Sequence, residues 1–234
     1  MRSLFLTGLK RQTGKTIIAA GLAGTMQSLS YSTGYLKTVQ TGSLLQYESR
    51  DVEYINSIDP NIKTFFSYSL QNTSSPLVGA FQTEFKKINI QKINNDCQAF
   101  IHSNDFNIIE GSNSISTPVD EKSTEIDVIK TLGIPLILVV NAQKSSIDEI
   151  ISGVSYIKSH KLGIFGIIIN EYDIESENLE QKYLPHLIKE YTSGTKILGC
   201  FPHLQDIYPD TLIAQTLNSF NLEEIFGLEI AKLR

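Results

Sequence analysis

Residues 8–16 read Gly-Leu-Lys-Arg-Gln-Thr-Gly-Lys-Thr, and these residue types at this spacing can cradle a chain of phosphates. Backbone N–H groups at a strand-to-helix turn converge on an anion, and the helix N-terminus adds a partial positive charge. Gly14 lets the main chain approach phosphate oxygens without a Cβ in the way. Lys15 supplies a point charge for the β- and γ-phosphates, and the Thr16 hydroxyl is placed to ligate Mg2+. Gln12 and Thr13 lie in the same cradle. Five residues separate Gly8 from Gly14, one more than in the common pattern, so the loop is a variant. Its setting supports the reading: the apolar run Ser3-Leu4-Phe5-Leu6-Thr7 precedes it and Ile17-Ile18-Ala19-Ala20-Gly21-Leu22-Ala23 follows.

The elements that must position this loop follow from hydrophobic patterning. Short apolar runs alternate with segments of helical period, as in βαβ units with a parallel sheet. Strands are predicted at 3–7, 33–38, 106–110, 134–140, 164–169 and 196–199. The runs 134–140 and 164–169 are continuously apolar, as expected of strands covered by helices on both faces. Helices are predicted at 15–29, 49–57, 76–85, 89–102, 124–132, 146–160, 177–192 and 210–217. The polar stretch 58–75 reads as an active-site loop. The fold class is therefore α/β, a P-loop NTPase-like parallel sheet flanked by helices on both faces. No linker composition or internal repeat divides the chain, so residues 1–234 form one domain.

Bulk properties narrow the function classes. A net charge of −5 argues against a general nucleic-acid binder. No stretch reaches the length of a membrane span, and the apolar part of the N-terminus is short for a signal peptide. Cys97 and Cys200 lack metal-ligand spacing and read as reduced, buried thiols. A cytoplasmic enzyme without nucleic-acid or membrane partners is the expectation.

In an open parallel sheet, ligands bind at the carboxyl ends of the strands. The segments there are Lys37-Thr38-Val39-Gln40-Thr41-Gly42, Glu110-Gly111-Ser112-Asn113, Asn141 to Ser146, Asn170, and Phe201-Pro202-His203. With the loop, they make the chain resemble the dethiobiotin synthetase family over nearly its whole length. That family's loop also has five residues between its glycines, and its second strand typically ends Tyr-x-Lys-Pro-Val-Gln-Thr-Gly, matched by Tyr35 to Gly42. An acidic residue opening a helix (Asp51), a Ser-Pro pair (Ser75-Pro76), Glu110-Gly111, the strand-terminal Asn170 and Gly199 to Pro202 follow in order.

The resemblance implies an ATP- and Mg2+-dependent enzyme that carboxylates 7,8-diaminononanoate with CO2 or bicarbonate and closes a ureido ring. It implies Lys15 and Lys37 as catalytic lysines, the latter between carbamate and γ-phosphate. Thr16, Asp51 and Glu110 match the Mg2+ ligands. Asn170 matches an adenine-reading amide, with Pro202 and His203 completing the nucleotide pocket begun by Gln12, Thr13, Gly14, Lys15 and Thr16. Thr41, Ser145 and Ser146 lie where the family binds the diamino acid, and a homodimer is implied. Taken alone, Asp51 is equally a helix-start residue, and less favoured alternatives are an exposed loop carboxylate for Glu110 and a cap or turn for Asn170.

Three departures stand out. Leu9-Lys10-Arg11-Gln12 replaces a small, often acidic loop, and so places two extra cations near the phosphates. Ser112-Asn113-Ser114 replaces Ala-Gly-Gly, removing glycines that favour φ > 0. Asp148 stands where some members have Asn, near the expected substrate carboxylate, which it would repel. Two other readings stay open: a paralogue acting on another amine or carboxylate, and a partition-type dimerising ATPase whose signature lysine would be Lys10.

Overall fold

The computed structural model describes residues 3–43, 49–83 and 87–227. Seven strands form one sheet in the order β3-β2-β4-β1-β5-β6-β7. They are β1 (Ser3–Gly8), β2 (Thr33–Thr41), β3 (Lys63–Leu70), β4 (Phe106–Glu110), β5 (Leu136–Asn141), β6 (Ile164–Asn170) and β7 (Ile197–Phe201), and every pairing is parallel. The helices are α1 (Lys15–Ser28), α2 (Arg50–Ile58), α3 (Pro76–Ala80), α4 (Ile90–Ile101), α5 (Glu125–Leu132), α6 (Ile147–Ser159), α7 (Leu179–Tyr191), α8 (Pro209–Ser219) and α9 (Leu222–Phe226).

Alternation along the strands divides the core into two layers. Phe5, Leu138, Ile167 and Ile169 face one layer, with Ile93, Ile126, Ile150 and Ile188 of α4 to α7. Leu4, Leu6, Val139 and Ile168 face the other, with Ile18, Leu22, Ile55, Leu212 and Ile225 of α1, α2, α8 and α9. Burial on both faces explains the continuous apolar runs of β5 and β6. Among the described residues, no helix is long and apolar enough to cross a membrane. Cys97 is fully buried and Cys200 partly so, and burial pushes their thiols up to about 12 and about 11 respectively. Neither carries thiolate character at neutral pH.

The structure corrects several expectations. The stretch 58–75 is not an irregular loop, because it contains β3, paired in parallel with β2 at the edge of the sheet. An edge strand needs only partial burial, and Lys63 to Phe66 alternate between exposed and half-buried. That weakened the apolar signal. The helix predicted at 76–85 ends at Ala80 and a turn follows, with residues 84 and 85 outside the described residues. β2 runs on through Thr41, so Lys37 lies inside the strand rather than after it. The short helix α9 had no expectation.

Small residues on α1 admit its neighbour closely. A Cβ on Gly21 would lie 2.3 Å from Thr216 Oγ1 on α8. Gly199 is equally constrained, because a Cβ there would lie 2.3 Å from the Ser219 carbonyl oxygen and 2.5 Å from the Phe220 ring. Gly199→Ala must therefore move backbone, at a cost of about 2 kcal/mol. The expected drop in the unfolding midpoint is roughly 4–8 °C. Differential scanning calorimetry reads it, and an unchanged midpoint would show that β7 and α8 separate freely.

Candidate active site

The phosphate-type loop lies between the end of β1 and the start of α1. Its turn depends on left-handed backbone at Gln12 (φ 56) and Gly14 (φ 89). Gly14 is obligatory twice over, since a Cβ there would also lie 1.9 Å from Asn170 Nδ2. No side chain caps α1, and its first turn carries no acid, so its leading N–H groups are left to face an anion. Lys15, the first residue of α1, is buried and donates to the Asn113 carbonyl oxygen at 2.7 Å. Burial and then Lys37 lower its pKa, against the opposing pull of Glu110, Glu125 and Asp51.

Register brings the central lysine to its partner. Lys37 on β2 lies directly opposite Glu110 on β4. Its Nζ is 2.6 Å from Glu110 Oε1 and 2.7 Å from Asp51 Oδ2. Burial works to lower the Lys37 pKa, but Glu110 and Asp51 outweigh it and hold the ammonium charged. Glu110 has further partners: Thr16 Oγ1 donates to Oε1 at 2.9 Å and Tyr35 OH donates to Oε2 at 2.8 Å. Asp51 is positioned through Gln40, whose Oε1 accepts from Ser49 Oγ at 2.8 Å and Asp51 N at 3.3 Å. Ser49 caps α2.

Lys15, Thr16, Lys37, Thr41, Asp51 and Glu110 thus line one cavity of about 310 Å3, with Arg11, Arg50 and Thr73 at its sides. Thr16, Asp51 and Glu110 offer hard oxygens of the kind Mg2+ prefers alongside phosphate oxygens. Among the described residues, no group of three or more His, Cys, Asp or Glu side chains could hold a metal. A cation here would rest on these two carboxylates, the hydroxyl and the phosphates, so the residues fit it.

Asn170 ends β6 and leans over the loop, donating from Nδ2 to the Thr13 carbonyl oxygen at 3.1 Å. A second cavity of about 370 Å3 is lined by Gln12, Gly14, Asn170, Glu171 and His203, among others. Pro202 is half-buried beside it in sequence but does not line it. Ser145 and Ser146 are not brought to Lys37, because they line a separate cavity of about 240 Å3 next to α7. Both have local duties: Ser145 Oγ accepts from Asn141 N at 3.4 Å, and Ser146 caps α6.

The departures also find explanations. Lys10 does not approach the loop's interior. It pairs with Glu149 at 2.7 Å and donates to the Lys144 carbonyl, while Leu9 packs on Gly153, fastening the variant loop to α6. Arg11 does line the Lys37 cavity. None of Ser112, Asn113 and Ser114 has positive φ, so the missing glycines are not needed. Asp148 is exposed in the first turn of α6, where the helix dipole favours an acid.

Glu125 escaped the sequence reading because an acid at a helix start is ordinary. It is buried, accepts from Ser112 N at 2.7 Å and Ser112 Oγ at 2.8 Å, and receives the Thr7 hydroxyl. It also fills the place a Cβ on Gly111 would need. The unusual Ser112 was the available signal.

Comparison with known proteins finds relatives along nearly the whole chain. ATP-dependent dethiobiotin synthetase BioD of Clostridium acetobutylicum is 28% identical, covering 97% of this chain and 98% of its own length. The BioD of Bacillus subtilis strain 168 is 27% identical over 95% and 96% of the two chains. Among solved structures, the MinC:MinD cell division protein complex of Aquifex aeolicus superposes with a TM-score of 0.63 at 12% identity, over 100% of this chain and 99% of that one. A ParA family ATPase from Chlorobium tepidum TLS gives 0.59 at 15% identity, covering 96% and 91%. These two establish the P-loop fold alone. The resemblance to dethiobiotin synthetases therefore extends along nearly the whole sequence. The AAA domain family profile, AAA_26, matches residues 2–211, and the chain belongs to that family.

Proposed function

We propose that this protein is an ATP-dependent ligase of biotin synthesis that carboxylates 7,8-diaminononanoate and closes the ureido ring to give dethiobiotin. The observation that carries the reading is the buried Lys37 ammonium, held by Glu110 and Asp51 beside Lys15 and Thr16. In the proposed reaction, one amine of the substrate adds through nitrogen to the carbon of CO2 and loses a proton, giving a carbamate. The carbamate oxygen takes the γ-phosphoryl group of ATP with release of ADP. The second amine then attacks the carbamoyl carbon, the C–O bond to phosphate breaks with phosphate leaving, and the new ring nitrogen loses a proton.

Each residue has a task that electrostatics demands. Carbamate and γ-phosphate are both anions, so their approach needs cations between and around them. Lys37 fills that role as a charged group already desolvated and oriented. Lys15 neutralises phosphate oxygens from the other side. Mg2+, held by Thr16, Asp51 and Glu110, would supply the remaining charge. Thr41 lies on the wall of the same cavity and serves the diamine end. In this reading Asn170 and His203, which line one cavity with Gln12 and Gly14, serve the base, Gln12, Thr13 and Gly14 lie under the phosphates, and Pro202 adjoins His203.

The chain is further proposed to act as a cytoplasmic homodimer, which light scattering tests. Ser145 and Ser146 keep a proposed role with the substrate, from their own cavity. The partition-ATPase reading loses support from Lys10, which is engaged with Glu149 and Lys144 of its own chain.

Incubating the purified protein with ATP, Mg2+, bicarbonate and 7,8-diaminononanoate should yield dethiobiotin by mass spectrometry, with none when the diamine is omitted. ATP binding without product would point to a related amine or carboxylate substrate. Lys37→Met, which keeps the stem and removes the charge, should lower turnover by about 100-fold or more with ATP affinity nearly kept. Lys15→Ala should weaken ATP binding by about tenfold or more and lower turnover with it. Normal ATP affinity in the Lys15 variant, measured by titration calorimetry, would remove the loop from nucleotide binding.

A further inference from the structure

The Lys37 cavity carries more positive charge than the reaction above uses. Arg11, Lys15, Lys37 and Arg50 line it, against the carboxylates of Asp51 and Glu110. Lys37 takes both carboxylates, and Lys15 serves the phosphates in the proposed reaction. Arg11 and Arg50 are left over. Both are exposed, and among the described residues neither guanidinium has a hydrogen-bond or ion-pair partner. Like charges around one cavity repel each other, and an anionic group on a ligand relieves that repulsion.

The local backbone explains how both arginines come to this cavity. Lys10 is drawn to α6 by Glu149 and the Lys144 carbonyl, and Leu9 packs on Gly153. Gln12 then turns through left-handed backbone, and Arg11 between them lines the Lys37 cavity. Arg50 opens α2 and reaches back to the end of β2, where a Cβ on Gly42 would lie 3.5 Å from its Nη2. Gly42 follows Thr41, which lines the same cavity. The cavity beside α7 suits an anion less well. Lys144 and Glu180 both lie on its wall, and Asp148 is exposed in the first turn of α6. The N-termini of α6 and α7 are already capped there by Ser146 and Asn178.

We infer that Arg11 and Arg50 hold the carboxylate of the diamino acid at the Lys37 cavity, and so select an amine that bears a carboxylate over a plain diamine. A guanidinium offers parallel N–H donors that match the two oxygens of a carboxylate. The inference rests on the diamino-acid reading of the site. It adds that specificity for the acid end comes from the variant loop and the start of α2, and not from Ser145 and Ser146.

Titration calorimetry with Mg2+ and a non-hydrolysable ATP analogue compares 7,8-diaminononanoate with 2,3-diaminononane, the same diamine with a methyl group in place of the carboxylate. The intact protein is expected to bind the acid more tightly by about tenfold or more. Arg11→Ala and Arg50→Ala should each cut that preference by about threefold or more, weakening the acid alone and leaving affinity for the ATP analogue unchanged. Equal binding of the two diamines by the intact protein overturns the inference and leaves the diamine reading in place. A preference that survives both arginine changes, or is lost only in Ser145→Ala, also overturns it. A matching loss of affinity for the ATP analogue assigns the guanidiniums to phosphate, with the same consequence. Binding of neither diamine overturns the inference and the substrate reading together. A preference for the acid that the arginine changes remove, without dethiobiotin formation, upholds the inference and overturns only the ring-closing reading.

Discussion

The centre of this protein depends on burying charge without leaving any of it uncompensated. Lys37 and Glu110 are almost wholly removed from water, and each buried ion costs several kcal/mol in hydration. The cost is offset because the ammonium contacts two carboxylates, and Glu110 also accepts from Thr16 and Tyr35. Removing any one donor leaves a buried acceptor short of partners. The register of β2 against β4 is tied to the same cluster, since a slip of one residue would turn Lys37 to the opposite face.

From that cluster the other parts of the site follow. The loop brings Thr16 to Glu110, so the start of α1 is anchored to the end of β4. Gln40 anchors the start of α2 to the end of β2, which sets Asp51. Glu125 fastens the turn after β4 through Ser112, and that turn presents the Asn113 carbonyl to Lys15. On the far side, Asn170 holds the loop backbone at Thr13 against the end of β6. The ends of β2, β4 and β6 and the starts of α1, α2 and α5 are thus locked by side-chain hydrogen bonds, and the cavities lie between them.

The same fold serves proteins with quite different work, as the superpositions on MinC:MinD and a ParA ATPase demonstrate. What separates this chain from a generic phosphate-binding domain is the lysine inside β2 with its two carboxylates, lining the same cavity as Lys15 and Thr16. The altered loop does not disturb that arrangement. Leu9 and Lys10 are absorbed by α6, and only Arg11 adds charge to the Lys37 cavity.

The sequence by itself determined the parallel α/β architecture and the phosphate-type loop, because these are local signals, whereas Lys37, Asp51, Glu110 and Asn170 were singled out only through the family resemblance. Continuous apolar runs mark strands covered on both faces, and Gly-Lys-Thr after a strand marks the loop. Edge strand β3 was not legible, since half-burial leaves only a faint alternation in Lys63 to Leu70. Partnerships between distant residues were decided only by the tertiary structure. Nothing local says that Lys37 faces Glu110, that Glu125 sits under Gly111, or that Ser145 and Ser146 open onto a different cavity from Thr41. The pairing of Glu171 with His203 spans 32 positions and needs a left-handed residue to exist. Such contacts arise from sheet order and register, which depend on how all the helices pack on both faces at once rather than on any short segment.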